Sequence, residues 1–250
     1  MASSPDALWL NVSLALEELD RPCMNALSRH CAIAHYQYYL SQDEPMCFHE
    51  ALTLLHDYLK QHDRPLHLIG HGMSGLLGLL YSRRHPERVR SLTLLSVGIH
   101  PAIDWQAHYH VQRQLLPCSR EQLLIQTVYS LFGYQCPPVT KKLARMLARD
   151  LNHSLSPHTL YRRVYFVPDG VPVPVMIVRG ENDVIIDSNS WQGWWLWLKD
   201  GDRLWQCPNG RYFFHYFHPK IVAGEIMNFW NHSGNYASSN IREGLLDLKS

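Results

Sequence analysis

The side chains of this 250-residue chain best suited to nucleophilic chemistry fall in three short segments. Leu66–Gly75 reads LHLIGHGMSG and sets a hydroxyl, Ser74, near an imidazole, His71. Asp183 follows in VMIVRGEND, and Tyr212, His215 and His218 in PNGRYFFHYFH. A hydroxyl activated by an imidazole that a carboxylate orients is the arrangement for acyl transfer. Each residue also has a plainer reading. Ser74 packs in the first turn of a helix, and His71 is a buried, hydrogen-bonded histidine. His215 and His218 lie at the surface or against a covering segment. His108 and His110 flank Tyr109 without a third ligand at metal spacing, so no metal is expected, and no cofactor motif occurs.

The elements that must position these groups alternate. Ala7–Val12, Cys31–Tyr38, Leu66–His71, Val89–Val97, Val173–Arg179 and Arg203–Cys207 read as strands. Helical periods fill the gaps: Leu14–Arg29, Glu44–Gln61 with Phe48, Leu52, Leu55 and Leu59 on one stripe, Met73–His85, and Ile221–Trp230. Strand then helix, repeated, predicts an α/β fold: a mainly parallel sheet of about six strands covered by helices on both faces. From His100 to Pro168 no strand is expected. Arg120–Phe132, Lys141–Leu151 and Pro157–Tyr165 read as helices of an insertion. It carries eight Lys+Arg against three Asp+Glu, a net +5. The expected division is a core of 7–99 and 169–233, a helical insertion at 100–168 and a polar tail at 234–250.

In this order the motifs resemble the α/β-hydrolase superfamily over most of residues 7–230. There, G-x-S-x-G forms a sharp strand-to-helix turn, the nucleophile elbow, that lifts a serine above the sheet. Gly70-His71-Gly72-Met73-Ser74 stands at that turn. The acid position corresponds to Asp183, the histidine loop to Pro208–His218, and the insertion to the family's helical lid. The resemblance also implies oxyanion donors: the amide of Met73 and one from the loop at Asn11, Val12 and Ser13. The hairpin that precedes the first strand in larger members has no counterpart before Ala7.

The departures concern catalysis. The strand register places Gly72, not serine, at the nucleophile position, between small neighbours Gly70 and Ser74. A register with Ser74 as nucleophile brings Leu76 into the turn, where it clashes. Tyr212 stands where the resemblance expects histidine. A phenol with a pKa of ~10 keeps its proton at neutral pH and is a poor base. The implied protein is a catalytically degenerate member that binds a ligand or partner. Small, mainly apolar ligands would sit under the lid. The other readings are a divergent esterase or lyase using Ser74, His71 or His215, and a scaffold acting through its basic lid or Trp-rich helix.

A net charge of +1 and a pI of about 7.7 give no basis for bulk nucleic-acid binding. Six cysteines without C-x-x-C spacing read as reduced thiols of a cytoplasmic protein. No apolar run is long enough to cross a membrane. Peripheral membrane contact fits two segments, Lys141–Asp150 and an exposed Trp197. Trp191, Trp194 and Trp195 are expected on one buried helix face.

Overall fold

The computed structural model describes residues 4–39, 47–158 and 164–246, with side chains as far as residue 232. Six parallel strands form one sheet: β1 (Ala7–Asn11), β2 (Ile33–Gln37), β3 (Leu66–His71), β4 (Val89–Leu95), β5 (Val175–Gly180) and β6 (Arg203–Cys207). Their spatial order is β2-β1-β3-β4-β5-β6. The chain therefore reverses its winding between β1 and β3, and a crevice opens at the carboxyl ends of that pair.

Alternate residues of each strand feed opposite faces. Leu8, Leu10, Leu68, Leu92 and Leu94 pack with α2 (Phe48–Leu59) and α3 (Met73–Arg84). Ala7, Trp9, Ile69, Leu95 and Met176 pack with α1 (Glu17–Leu27) and α9 (Pro219–Leu246). Cover on both faces is why the strands read as nearly continuous apolar runs. The helix α3 is buried almost all round, as its sequence predicts.

Between β4 and β5 stand α4 (Trp105–Leu115), α5 (Arg120–Phe132) and α6 (Pro137–His153). Together with Leu16, Leu19, Ile185, Tyr212 and Phe213 they form a third core over the strand ends. The helix α5 has the predicted bounds and starts at a capping box made by Ser119 and Gln122. The structure corrects three expectations. It adds α4, capped by the Asp104 side chain accepting from the Ala107 amide. Of the helix expected over Pro157–Tyr165, residues 159–163 lie outside the described residues. Pro157, His158, Val164 and Tyr165 are not helical, in keeping with an aromatic and β-branched run leading into Pro168. The tail expected at 234–250 is helical through Leu246, as the end of α9.

The tryptophan segment departs as well. A short α7 (Ser188–Gln192) tightens into a 3₁₀ turn at Gly193–Trp197, which rotates the following side chains away from the α-helical stripe. Trp194 is buried and donates to the Val97 carbonyl at 3.1 Å. Trp195, expected in the core, is 64% exposed, and Trp197 is exposed. A short α8 (Phe214–Phe217) follows β6. Among the described residues no helix is long and apolar enough to cross a membrane.

Candidate functional site

The turn after β3 is the centre of the site. Gly72 has φ 51° and ψ −121° and leads straight into α3. An L side chain holds that backbone only under strain of ~1–3 kcal/mol, whereas glycine takes it freely. Two residues earlier, a Cβ on Gly70 would come within 2.6 Å of the Ser74 and Gly75 backbone. The turn therefore has to be small there. Ser74 lies inside α3, so the residue at the turn is Gly72.

Tyr212 fills the space beside it. A Cβ built on Gly72 would lie 2.6 Å from the Tyr212 hydroxyl. The phenol is 1% exposed, with the Trp105 backbone beside its oxygen. Burial, with Asp104 and Asp183 nearby, pushes its pKa well above 10. It is a neutral side chain standing where a nucleophile's oxygen would be. His71 and Phe132 lie on either side of Phe213, at ring distances of 4.8 Å each. His71, Trp105, Tyr212 and Phe213 leave a cavity of only about 20 Å³ at Gly72, Met73 and Ser74.

Asp183 stands after β5, buried. One carboxylate oxygen accepts from the Ile185 and Ile186 amides at 2.8 and 3.0 Å. The other accepts from Ser96 Oγ at 3.0 Å. Burial pushes its pKa up to about 6. Ser96 itself has φ 51° and its hydroxyl also reaches the Tyr212 carbonyl at 2.8 Å. The acid thus holds the loop that carries Tyr212 through Ser96 and touches no imidazole among the described hydrogen bonds.

The amides after β1 are engaged internally. Val12 N–H donates to Ser74 Oγ at 3.0 Å, and Ser13 N–H to Asn11 Oδ1 at 2.7 Å. Ser74 therefore serves as an acceptor that ties β1 to the elbow helix. Met73, whose amide is the other expected donor, lines the remaining cavity.

The histidines take places of their own. His71 Nε2–H donates to the Tyr212 carbonyl at 2.9 Å, and burial holds its pKa down at about 3. His215, expected near the surface, is fully buried in α8. It meets Asp20 Oδ1 through Nε2 at 3.0 Å and lies 4.6 Å from the His71 ring. Burial lowers its pKa to about 3 and raises that of Asp20 to about 6. His218 is half-buried in the turn before α9. Among the described residues no cluster of His, Cys, Asp and Glu suits a metal ion.

The structure thus gathers Asn11, Val12, His71, Gly72, Met73, Ser74, Asp183, Tyr212 and His215 at the carboxyl ends of β1, β3 and β5. Sequence reasoning missed Asp20, Ser96, Asp104 and Trp105. Asp20 could have been found as a carboxylate beside Leu19 and Cys23 on the buried stripe of α1. Asp104 could have been found as a cap directly before a helical period. Nothing local in the sequence marks Ser96.

The comparisons with known proteins agree with this fold. A family model described as alpha/beta hydrolase fold matches residues 46–127. An uncharacterized protein of Synechocystis sp. is 46% identical over 93% of both chains, and one of Nostoc sp. is 42% identical over 92% of both. Among solved structures, a membrane phospholipase A aligns with a TM-score of 0.69 at 19% identity, over 92% of this chain and 79% of that one. Carboxylesterase CesB of Bacillus subtilis aligns at 0.68 and 15%, over 92% and 84%. At such identities these two structures speak for the fold alone. Strand order, the backbone of the turn at Gly72 and the family match lead to one conclusion: this chain belongs to the α/β-hydrolase superfamily, together with its cyanobacterial relatives.

Proposed function

We propose that this protein is a non-catalytic α/β-hydrolase-fold protein that acts by binding a partner. The observation that carries this reading is the Tyr212 hydroxyl, 2.6 Å from where a nucleophile's Cβ would begin. Gly72 and Tyr212 fit each other as a pair, and neither supplies a nucleophile or a base. Loss of a triad serine or histidine costs ~10⁶ in turnover. The amides of Val12 and Ser13, spent on Ser74 and Asn11, support the same reading from the oxyanion side.

A protein partner fits better than a small apolar ligand in the old cleft. A cavity of about 20 Å³ has room for one water molecule. A ligand would have to displace Tyr212, Phe213 and Trp105 from a packed core. The cysteines among the described residues are free thiols, which supports a cytoplasmic setting.

The test is hydrolysis of p-nitrophenyl acetate together with labelling by a fluorophosphonate probe, on the wild-type chain. The expected result is no turnover above buffer and no labelled serine. Turnover or labelling that disappears in Ser74→Ala would overturn the proposal and make Ser74 a displaced nucleophile.

A further inference from the structure

The helices α5 and α6 form a trough on the outside of the inserted segment, with a volume of about 480 Å³. That is within the ~300–1,000 Å³ of ordinary binding sites. Its floor is apolar: Leu124 and Ile125 from α5, and Ala144 and Ala148 from α6. The two alanines are one turn apart, so another backbone can approach α6 closely there.

The rim is basic. Lys141 and Arg145 repeat on α6 at i and i+4, and Arg120 stands at the start of α5. Glu121 is the one carboxylate on the lining. Among the described residues, neither Lys141 nor Arg145 forms an ion pair with a carboxylate; Arg145 donates to the Lys141 carbonyl. The other side of α6 is different. A second groove there, of about 370 Å³, also has cations, but Arg21 pairs with Glu17 and Lys142 with Glu18, both at under 3 Å. Of the α6 cations on that second groove Lys142 is neutralised by Glu18, whereas Arg149 and Arg145, which borders both grooves, form no ion pair among the described residues, nor does Lys141 above the apolar trough.

We propose that the α5/α6 trough is a docking site for an acidic amphipathic helix of a partner protein. The partner's apolar stripe would seat on Leu124, Ile125, Ala144 and Ala148, with its flanking carboxylates on Lys141 and Arg145. This is the helix-in-groove mode, where spaced apolar anchors fill a groove and rim charges select the partner. Shape argues against a lipid surface, because a bilayer takes up protruding apolar side chains and this face is concave. Single-stranded nucleic acid is disfavoured because no aromatic ring lines the trough to stack a base. The inference rests on the reading that the protein works by binding, but it is tested separately from the ester assay.

The experiment uses the full chain and three labelled 18-residue helical peptides, read by fluorescence anisotropy. One has Leu at helical spacing flanked by Glu. The second has Lys in place of Glu, and the third Gln in place of Leu. The first should bind at least tenfold more tightly than either control. Its affinity should fall between 50 and 200 mM NaCl and drop at least tenfold with Lys141→Glu/Arg145→Glu. These two residues are exposed, so the variant keeps its fold. Ala148→Trp, which fills the trough without altering charge, should also abolish binding. Amide exchange should slow over 120–132 and 137–153. Three equal peptides, no binding, or binding insensitive to both variants would overturn the proposal. So would capture by phosphatidylserine vesicles without peptide binding, which would make this a membrane surface. If ester turnover is found while the peptide binds, the non-catalytic reading fails and the docking site stands.

Discussion

Replacing Gly72 by alanine pushes a methyl group into space that the Tyr212 hydroxyl already holds. Two costs arise. The backbone at φ 51° is strained for an L residue, by about 1–3 kcal/mol. The new Cβ, 2.6 Å from Tyr212 Oη, must force apart a packed core, which costs about 1–3 kcal/mol more. In a Tyr212→Phe background only the first cost remains, because the next tyrosine atom, Cζ, is 3.7 Å away. Alanine also restricts the unfolded chain, but equally in both backgrounds. The two substitutions should therefore be non-additive. Gly72→Ala should cost about 1–3 kcal/mol less when the hydroxyl is gone. Tyr212→Phe alone removes a buried hydroxyl and keeps the ring packed, so its own cost enters the cycle as a separate single-variant value. Urea unfolding followed by the fluorescence of the eight tryptophans gives all four stabilities. A coupling of this size corresponds to roughly 2–4 °C in Tm per kcal/mol for a chain of this length. If Gly72→Ala costs the same within about 0.5 kcal/mol in both backgrounds, Tyr212 does not occupy the nucleophile's place.

Other perturbations have equally definite outcomes. Ser74→Ala removes the acceptor of the buried Val12 amide and should cost about 1–3 kcal/mol in urea unfolding. Asp20→Ala takes the partner from a fully buried His215 and should also destabilise by about 1–3 kcal/mol, while Asp20→Asn, which keeps an acceptor, should cost less. Stability should also depend on pH. Burial raises Asp104 and Asp150 from 3.8 to about 7, amid Asp20, Tyr212, Gln106, Ser13 and Ser154. The folded state keeps protons that the unfolded state has released, so this contribution is full below pH 3.8 and lost as pH rises through about 7. His67, His71 and His215, held at about 3 by burial, act in the opposite sense as pH falls below 6.5. Asp150→Asn removes one of the raised carboxyls, so between pH 3.8 and about 7 the Tm of the variant should fall less, or rise more, than that of the wild type; identical pH profiles would refute the assignment.

The sequence by itself determined the sheet, because burial on both faces forces apolar strands and alternation forces crossover helices. It also located the turn, since only small residues fit at 70 and 72, and it shows glycine at 72 and tyrosine at 212 as a matter of residue type. What the tertiary structure decided were the relations between distant segments. That Tyr212 fills the volume left by Gly72 depends on two loops 140 residues apart meeting at the end of β3. The placement of Asp183 on two amides and Ser96, and of Val12 on Ser74, depends on the register of neighbouring strands. The burial of His215 against Asp20 depends on α8 docking on α1. The basic character of α6 was visible as residue types, but which of its cations stay uncompensated was set by packing. Glu18 meets Lys142 on one flank of that helix, and local sequence contains no record of which flank faces it.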